Sequence, residues 1–151
     1  MTGNSHTAHS TRSDDATAAR DIMSPLTTGV GVVLALAVTV VHVLDQGGIT
    51  EMKDPAYLGY GYWVLELAGV VCAVLHLPRA RRAGWVLAIG VAAGPLVGIV
   101  VSRSVGLPDA TDDIGNWGEP LGVVAMLVEA ALLVVAVLVL AQVRRGAAVS
   151  R

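Results

Sequence analysis

Residues 26–44 read LTTGVGVVLALAVTVVHVL, nineteen positions without Asp, Glu, Lys or Arg. An α-helix rises about 1.5 Å per residue and the hydrocarbon core of a bilayer is roughly 30 Å thick, so about twenty apolar residues suffice to cross it. This run is long enough, and it has company. Residues 83–102, AGWVLAIGVAAGPLVGIVVS, repeat the pattern over twenty positions. Residues 56–77 and 121–143 match them in length, and each carries one acid near its middle, Glu66 and Glu129. The first run is too long for the apolar core of a signal peptide, and no small-residue cleavage site follows it. The expected fold is therefore all-α: a four-transmembrane-helix bundle over residues 26–143, with helices near 26–45, 56–77, 83–103 and 119–143. A tail, 1–25, precedes it and a second tail, 144–151, follows it.

Composition agrees. Apolar residues make up 54% of the chain and charged residues 15%, below the quarter or so usual for a domain with an aqueous surface. Phe is absent, and Ala, Val, Leu and Gly fill the spans, which predicts slim, closely approaching helices. The single cysteine, Cys72, lies inside a span, so no intrachain disulfide and no CxxC redox or zinc motif exists. Residues Met1–Asp21 are rich in Ser, Thr, Ala, His and Asp and are expected to be a disordered, solvated tail. His6 and His9 within it would make only a weak metal site, and a solvated tail is the expected reading.

The ten Lys and Arg residues are unevenly placed. Eight fall in the N-terminal tail, the second loop and the C-terminal tail (Arg12, Arg20, Arg79, Arg81, Arg82, Arg144, Arg145, Arg151); two, Lys53 and Arg103, fall in the first and third loops. Cationic residues near spans resist translocation, so both termini are expected in the cytoplasm of a plasma-membrane protein, with loops 45–55 and 103–119 outward. No basic patch is interleaved with aromatics, so nucleic acid is not an expected partner. The bilayer is.

In lipid, helices associate through small residues. Gly90, Gly94, Gly98 and Ser102 recur every fourth position, which predicts a close seam to a helix of the same chain or, alternatively, to a second copy or another membrane protein. Gly69 with Ala73 and Gly118 with Gly122 are shorter versions. Pro95 removes one backbone hydrogen bond and should kink its helix. Tyr57, Tyr60, Tyr62, Trp63 and Trp117 gather near the outer boundary and Trp85 near the inner one, as interfacial anchors do.

The chemistry-bearing residues are few. Counted from Tyr57 and Pro120, Glu66 and Glu129 each lie nine residues in, about 13 Å deep. A carboxyl in hydrocarbon costs on the order of 3 kcal/mol, so both are expected to face one interior cavity, at least one of them protonated. They read as a proton or cation site, or as neutral acids that lock helix register. His42 and Asp45 share a face at the end of the first helix; a hydrogen bond between them is the simple reading, and a cluster with Glu66 and Glu129 for a metal or proton relay the functional one. His76 is expected at the opposite boundary, some 25 Å from His42, which excludes axial haem ligation by the pair. Glu119, just before Pro120, is a natural N-cap. The third loop is otherwise acidic, with Arg103 to tie it down, and Asp109, Asp112, Asp113 and Asn116 offer oxygen ligands at a spacing that does not fit the calcium-binding loop.

Within Ser102–Gly122 the run SRxxGLP followed by DxGxWxEPLG resembles a signature of uncharacterised small four-helix integral membrane proteins of high-GC Gram-positive bacteria. The nine Arg against one Lys suit that origin. The resemblance implies the fold and carries no activity. Small multidrug transporters place their essential acid in the first helix, where this chain has His42, and vitamin K reductase-like enzymes need a CxxC. No nucleophile elbow, phosphate loop, HExxH or dinucleotide fingerprint is present. Three readings follow. The first is a non-catalytic binding or accessory membrane protein with an outward acidic cavity formed by His42, Asp45, Glu66, Glu129, Glu119 and Arg103. The second is an oligomeric proton- or cation-coupled transporter or channel using Glu66 and Glu129. The third is an intramembrane metal-dependent enzyme.

Overall fold

Ser24 starts the first helix: its hydroxyl accepts the N–H of Thr27 at 3.2 Å, and Pro25 takes the first helical position, where a missing N–H costs nothing. In the computed structural model, which describes residues 24–77 and 81–149, this helix, α1, runs Pro25–Gln46. It ends where Gly47 adopts a left-handed φ of 98°, so that the N–H groups of Gly47 and Gly48 reach back to the carbonyls of Leu44 and Val43. The others are α2 (Ala56–Leu75), α3 (Arg81–Ser104) and α4 (Pro120–Val149). All four are long and apolar enough to cross a membrane. α4 continues past Arg144 and Arg145, so the expected tail is helical to Val149; Arg and Ala are strong helix formers, and the single Gly146 does not end the run. The expected disordered tail with His6 and His9, apart from its last two residues, lies outside the described residues, as does Arg79.

Consecutive helices lie side by side, α4 closes the ring on α1, and α1 also meets α3 across the middle. The two long connections, 47–55 and 105–119, share one end, where the Tyr57 hydroxyl donates to the Pro108 carbonyl at 2.6 Å. Pro95 sits inside α3 without ending it.

The half of the bundle nearer the ends of the chain is solid. Ala35, Val38, Cys72, Ala88, Ala92, Leu132 and Ala136 form its buried centre. Trp85, expected at a headgroup boundary, is instead 1% exposed and the largest side chain of the core. His76, expected beside it at the surface, is 0% exposed; its ring meets Trp85 edge-on at 4.4 Å and its Nδ1–H donates to the Cys72 carbonyl at 2.7 Å. Two glycines admit the pair. A Cβ on Gly31 would lie 2.7 Å from the His76 ring and 2.8 Å from Trp85, and one on Gly84 would lie 2.9 Å from His76 Nδ1. Residue counting gives both rings the right level and the wrong side of the helices.

The close α1–α2 seam lies at Gly69, where a Cβ would run into Thr39; the Thr39 hydroxyl is within reach of the Ala35 carbonyl at 3.3 Å and of the Glu66 carbonyl on α2 at 3.4 Å. The stripe on α3 makes no such seam. A Cβ on Gly90, Gly94 or Gly98 would meet nothing within 4 Å. The expected in-chain contact along this stripe is therefore corrected: these glycines border empty space.

Candidate functional site: a polar cleft beneath the long connections

That space is a cleft of about 920 Å³ in the half of the bundle that carries the long connections. Leu58, Gly61, Leu65 and Ala68 of α2 form one wall, and Gly90, Gly94, Pro95 and Ile99 of α3 the other. His42 and Asp45 of α1 with Gly122, Ala125 and Glu129 of α4 line it as well, and Lys53, Asp54, Asp109, Asp112 and Asp113 belong to the connections above. Gly61, Val64, Gly90 and Gly94 line it and are themselves exposed, so the cleft opens sideways between α2 and α3. The glycine stripe, having no side chains, makes its width.

Glu129 is 1% exposed, and neither carboxyl oxygen has a hydrogen-bond partner among the described residues. His42 stands beside it, with Nε2 at 3.5 Å from Oε1. The other ring nitrogen of His42 lies 2.9 Å from the Val38 carbonyl, one turn back on α1. A carbonyl only accepts, so that nitrogen carries a proton, and Nε2 of a neutral ring then presents a lone pair to Glu129. Two acceptors face to face repel. At 3.5 Å the two groups are neighbours without a hydrogen bond, and one further proton, on the carboxyl or on the ring, would turn that repulsion into attraction.

Asp45 does not bond His42. It accepts from the Tyr62 hydroxyl and pairs with Lys53 at 3.1 Å, while the Tyr62 ring stands 5.3 Å from the His42 ring. The expected His42–Asp45 hydrogen bond is thus replaced by His42–Glu129 and Tyr62–Asp45 contacts. Tyr62, expected among the interfacial aromatics, points inward; its spacing from Leu58 and Leu65 on one face is the signal for it.

Glu66 lies elsewhere. It borders a separate shallow groove with Thr39, Val43, Trp63, Leu67 and Val70, on the α1 side of α2. The expectation that Glu66 and Glu129 share one cavity is corrected: equal depth fixes level, and Glu66 is turned about 100° from Leu65 on the cleft face.

Arg103 and Glu119 close the top. Glu119 caps α4 as expected: Oε1 accepts the Leu121 N–H at 2.9 Å and Oε2 accepts the Gly122 N–H. Arg103, 6% exposed, reaches Oε2 at 3.3 Å, and its carbonyl accepts the Gly115 N–H at 2.9 Å, which ties the third connection to the end of α3. Burial pushes the Glu119 carboxyl up, but the Gly122 and Leu121 N–H groups and the Arg103 guanidinium outweigh it and hold the group below the usual carboxylate range. A Cβ on Gly122 would collide with that guanidinium.

Among the described residues no three His, Cys, Asp or Glu side chains converge in a way that could hold a metal ion. His42, Asp45, Glu66 and Glu129 therefore do not form the metal cluster that the enzyme reading needs. No protein-family model, no curated protein and no solved structure matches this chain.

Proposed function

We propose that this chain is a multi-pass plasma-membrane protein, both termini in the cytoplasm, that binds a ligand in the outward cleft as a non-catalytic binding or accessory component. The membrane part rests on four apolar helices whose outer faces stay apolar, with Leu26, Val33, Val40, Leu67, Val97 and Leu127 exposed. The orientation rests on the eight-to-two distribution of Lys and Arg, which puts the cleft and both long connections outside.

One observation carries the binding reading. Glu129 is buried with neither oxygen hydrogen-bonded among the described residues, beside about 920 Å³ of open cleft. A buried carboxyl without hydrogen bonds is costly, and a group that enters the cleft supplies them. Native mass spectrometry on protein released gently from membranes tests this. Wild type should carry a small molecule that Gly94→Leu, which fills the cleft, does not. Wild type with nothing but the bulk lipids carried equally by the variant would defeat the reading.

The His42–Glu129 couple favours a second reading, proton-coupled transport with Glu129 as the carrier and Glu66 outside the path. Proteoliposomes should then show flux driven by a pH gradient, lost in Glu129→Gln. Absence of any such flux in wild type would remove it.

A further inference from the structure

Resting on the cleft reading, the chemical class of the ligand follows from what the cleft leaves uncompensated. Two lining carboxylates are already answered, Asp45 by Lys53 at 3.1 Å and Glu119 by Arg103 at 3.3 Å. Asp54, Asp109, Asp112 and Asp113 line the same cleft with no Lys or Arg within ion-pair distance among the described residues, and Glu129, also lining it, has only the His42 imidazole at 3.5 Å. Four of these sit at the mouth. Glu129 stands about 13 Å further down the axis of α4 from Pro120, nearly sealed from solvent and with neither oxygen hydrogen-bonded among the described residues. An acidic mouth above a buried acid attracts cations and rejects anions.

The cation is not a bare metal ion. Such ions need several converging ligands, and among the described residues no three carboxylates or imidazoles come together. Beside Glu129 the walls are hydrocarbon: Leu65 and Ala68 face Leu87 and Val91 across the gap that Gly90 and Gly94 hold open. The volume falls in the range of roughly 300–1,000 Å³ typical of sites for drug-sized organic ligands. We propose that the cleft takes an amphiphilic organic cation, its positive group set against Glu129 and its apolar body along Leu65, Leu87 and the glycine wall of α3.

The test uses full-length protein in nanodiscs and three probes read as saturable binding above empty discs. Tetraphenylphosphonium has the charge and the apolar body, tetraphenylborate the same shape with opposite charge, and tetramethylammonium the charge without the body. Tetraphenylphosphonium should bind at least tenfold more tightly than either. Glu129→Gln, nearly isosteric, should weaken it tenfold or more. Gly94→Leu, whose side chain enters open space, should fold and abolish it. Equal binding of tetraphenylborate or of tetramethylammonium, or unchanged affinity in Glu129→Gln, overturns the assignment. Tetraphenylborate binding that Gly94→Leu removes would overturn the cation class and leave the binding cleft standing. No saturable binding of any probe overturns the assignment too, and the cleft itself then stands or falls on its mass spectrum.

Discussion

Glu119 satisfies two N–H groups at the start of α4 and meets Arg103 with the same carboxylate, so its charge fixes both the helix start and the connection above the cleft. Removing a helix cap costs about 0.5–2 kcal/mol, so Glu119→Ala should lower the thermal midpoint in detergent measurably at pH 7. The pH dependence has a definite sign. A carboxyl held below its ordinary value of 4.5 stabilises the fold fully above that value, and the contribution is lost as pH falls through the lower, folded value. Melting curves at pH 7 and pH 3 should therefore show the gap between wild type and Glu119→Ala closing in acid. A gap of equal size at both pH values would mean that the charge is not what Glu119 contributes. The cap was legible from its place before Pro120, because helix starts obey local rules. Glu129 was legible as a buried acid for the same kind of reason, since cost in hydrocarbon depends on depth alone. His42 was legible as a candidate neighbour of either acid, but that it turns to Glu129 and not Glu66, and Asp45 to Tyr62, depends on how the helices are rotated against one another.

At the scale of elements, two glycines have opposite surroundings. Gly31 on α1 is pressed against His76 and Trp85, whereas a methyl group added to Gly94 on α3 would enter the cleft and meet nothing within 4 Å. Sequence spacing favoured Gly94 as the critical contact, because a four-residue repeat of small residues is what a tight seam in lipid looks like. The same repeat equally makes a smooth wall, and spacing cannot distinguish a wall that touches its neighbour from one that stands off. Gly31 shows no repeat, since it answers to single large rings rather than to another helix backbone. Gly31→Leu should therefore reduce folded yield in detergent far more than Gly94→Leu. Even Gly31→Ala should cost about 1–3 kcal/mol, the usual effect of forcing extra carbon into a filled core. Size-exclusion profiles and melting curves of the three variants decide this. Gly94→Leu aggregating while Gly31→Leu folds would place the tight contact back on the stripe.

The whole molecule divides into a solid half, around Trp85, His76 and Leu132, and a hollow half beneath the two long connections. The number and order of the four helices were legible, because the length of an apolar run and the thickness of a bilayer share one scale, whereas the extension of α4 to Val149 lies beyond the apolar run. The hollow was not, because hydropathy gives the order of helices along the chain and not the distance between them. What the division means depends on which half faces outward. On the proposed orientation the hollow half faces outward, since the first and third loops with their helix ends carry only Lys53 and Arg103, against eight cationic residues in the sequence of the two tails and the second loop. A periplasm-active reporter fused after Arg151 should accordingly be silent, and a cytoplasm-active one should work. A second measurement is independent of fusion. With Cys72 buried and shielded from reagent, a cysteine at Asn116 in the third connection should react with a membrane-impermeant maleimide in intact cells, and one at Arg145 only after the membrane is opened. The reverse pattern would turn the cleft toward the cytoplasm, and its ligand would have to come from there.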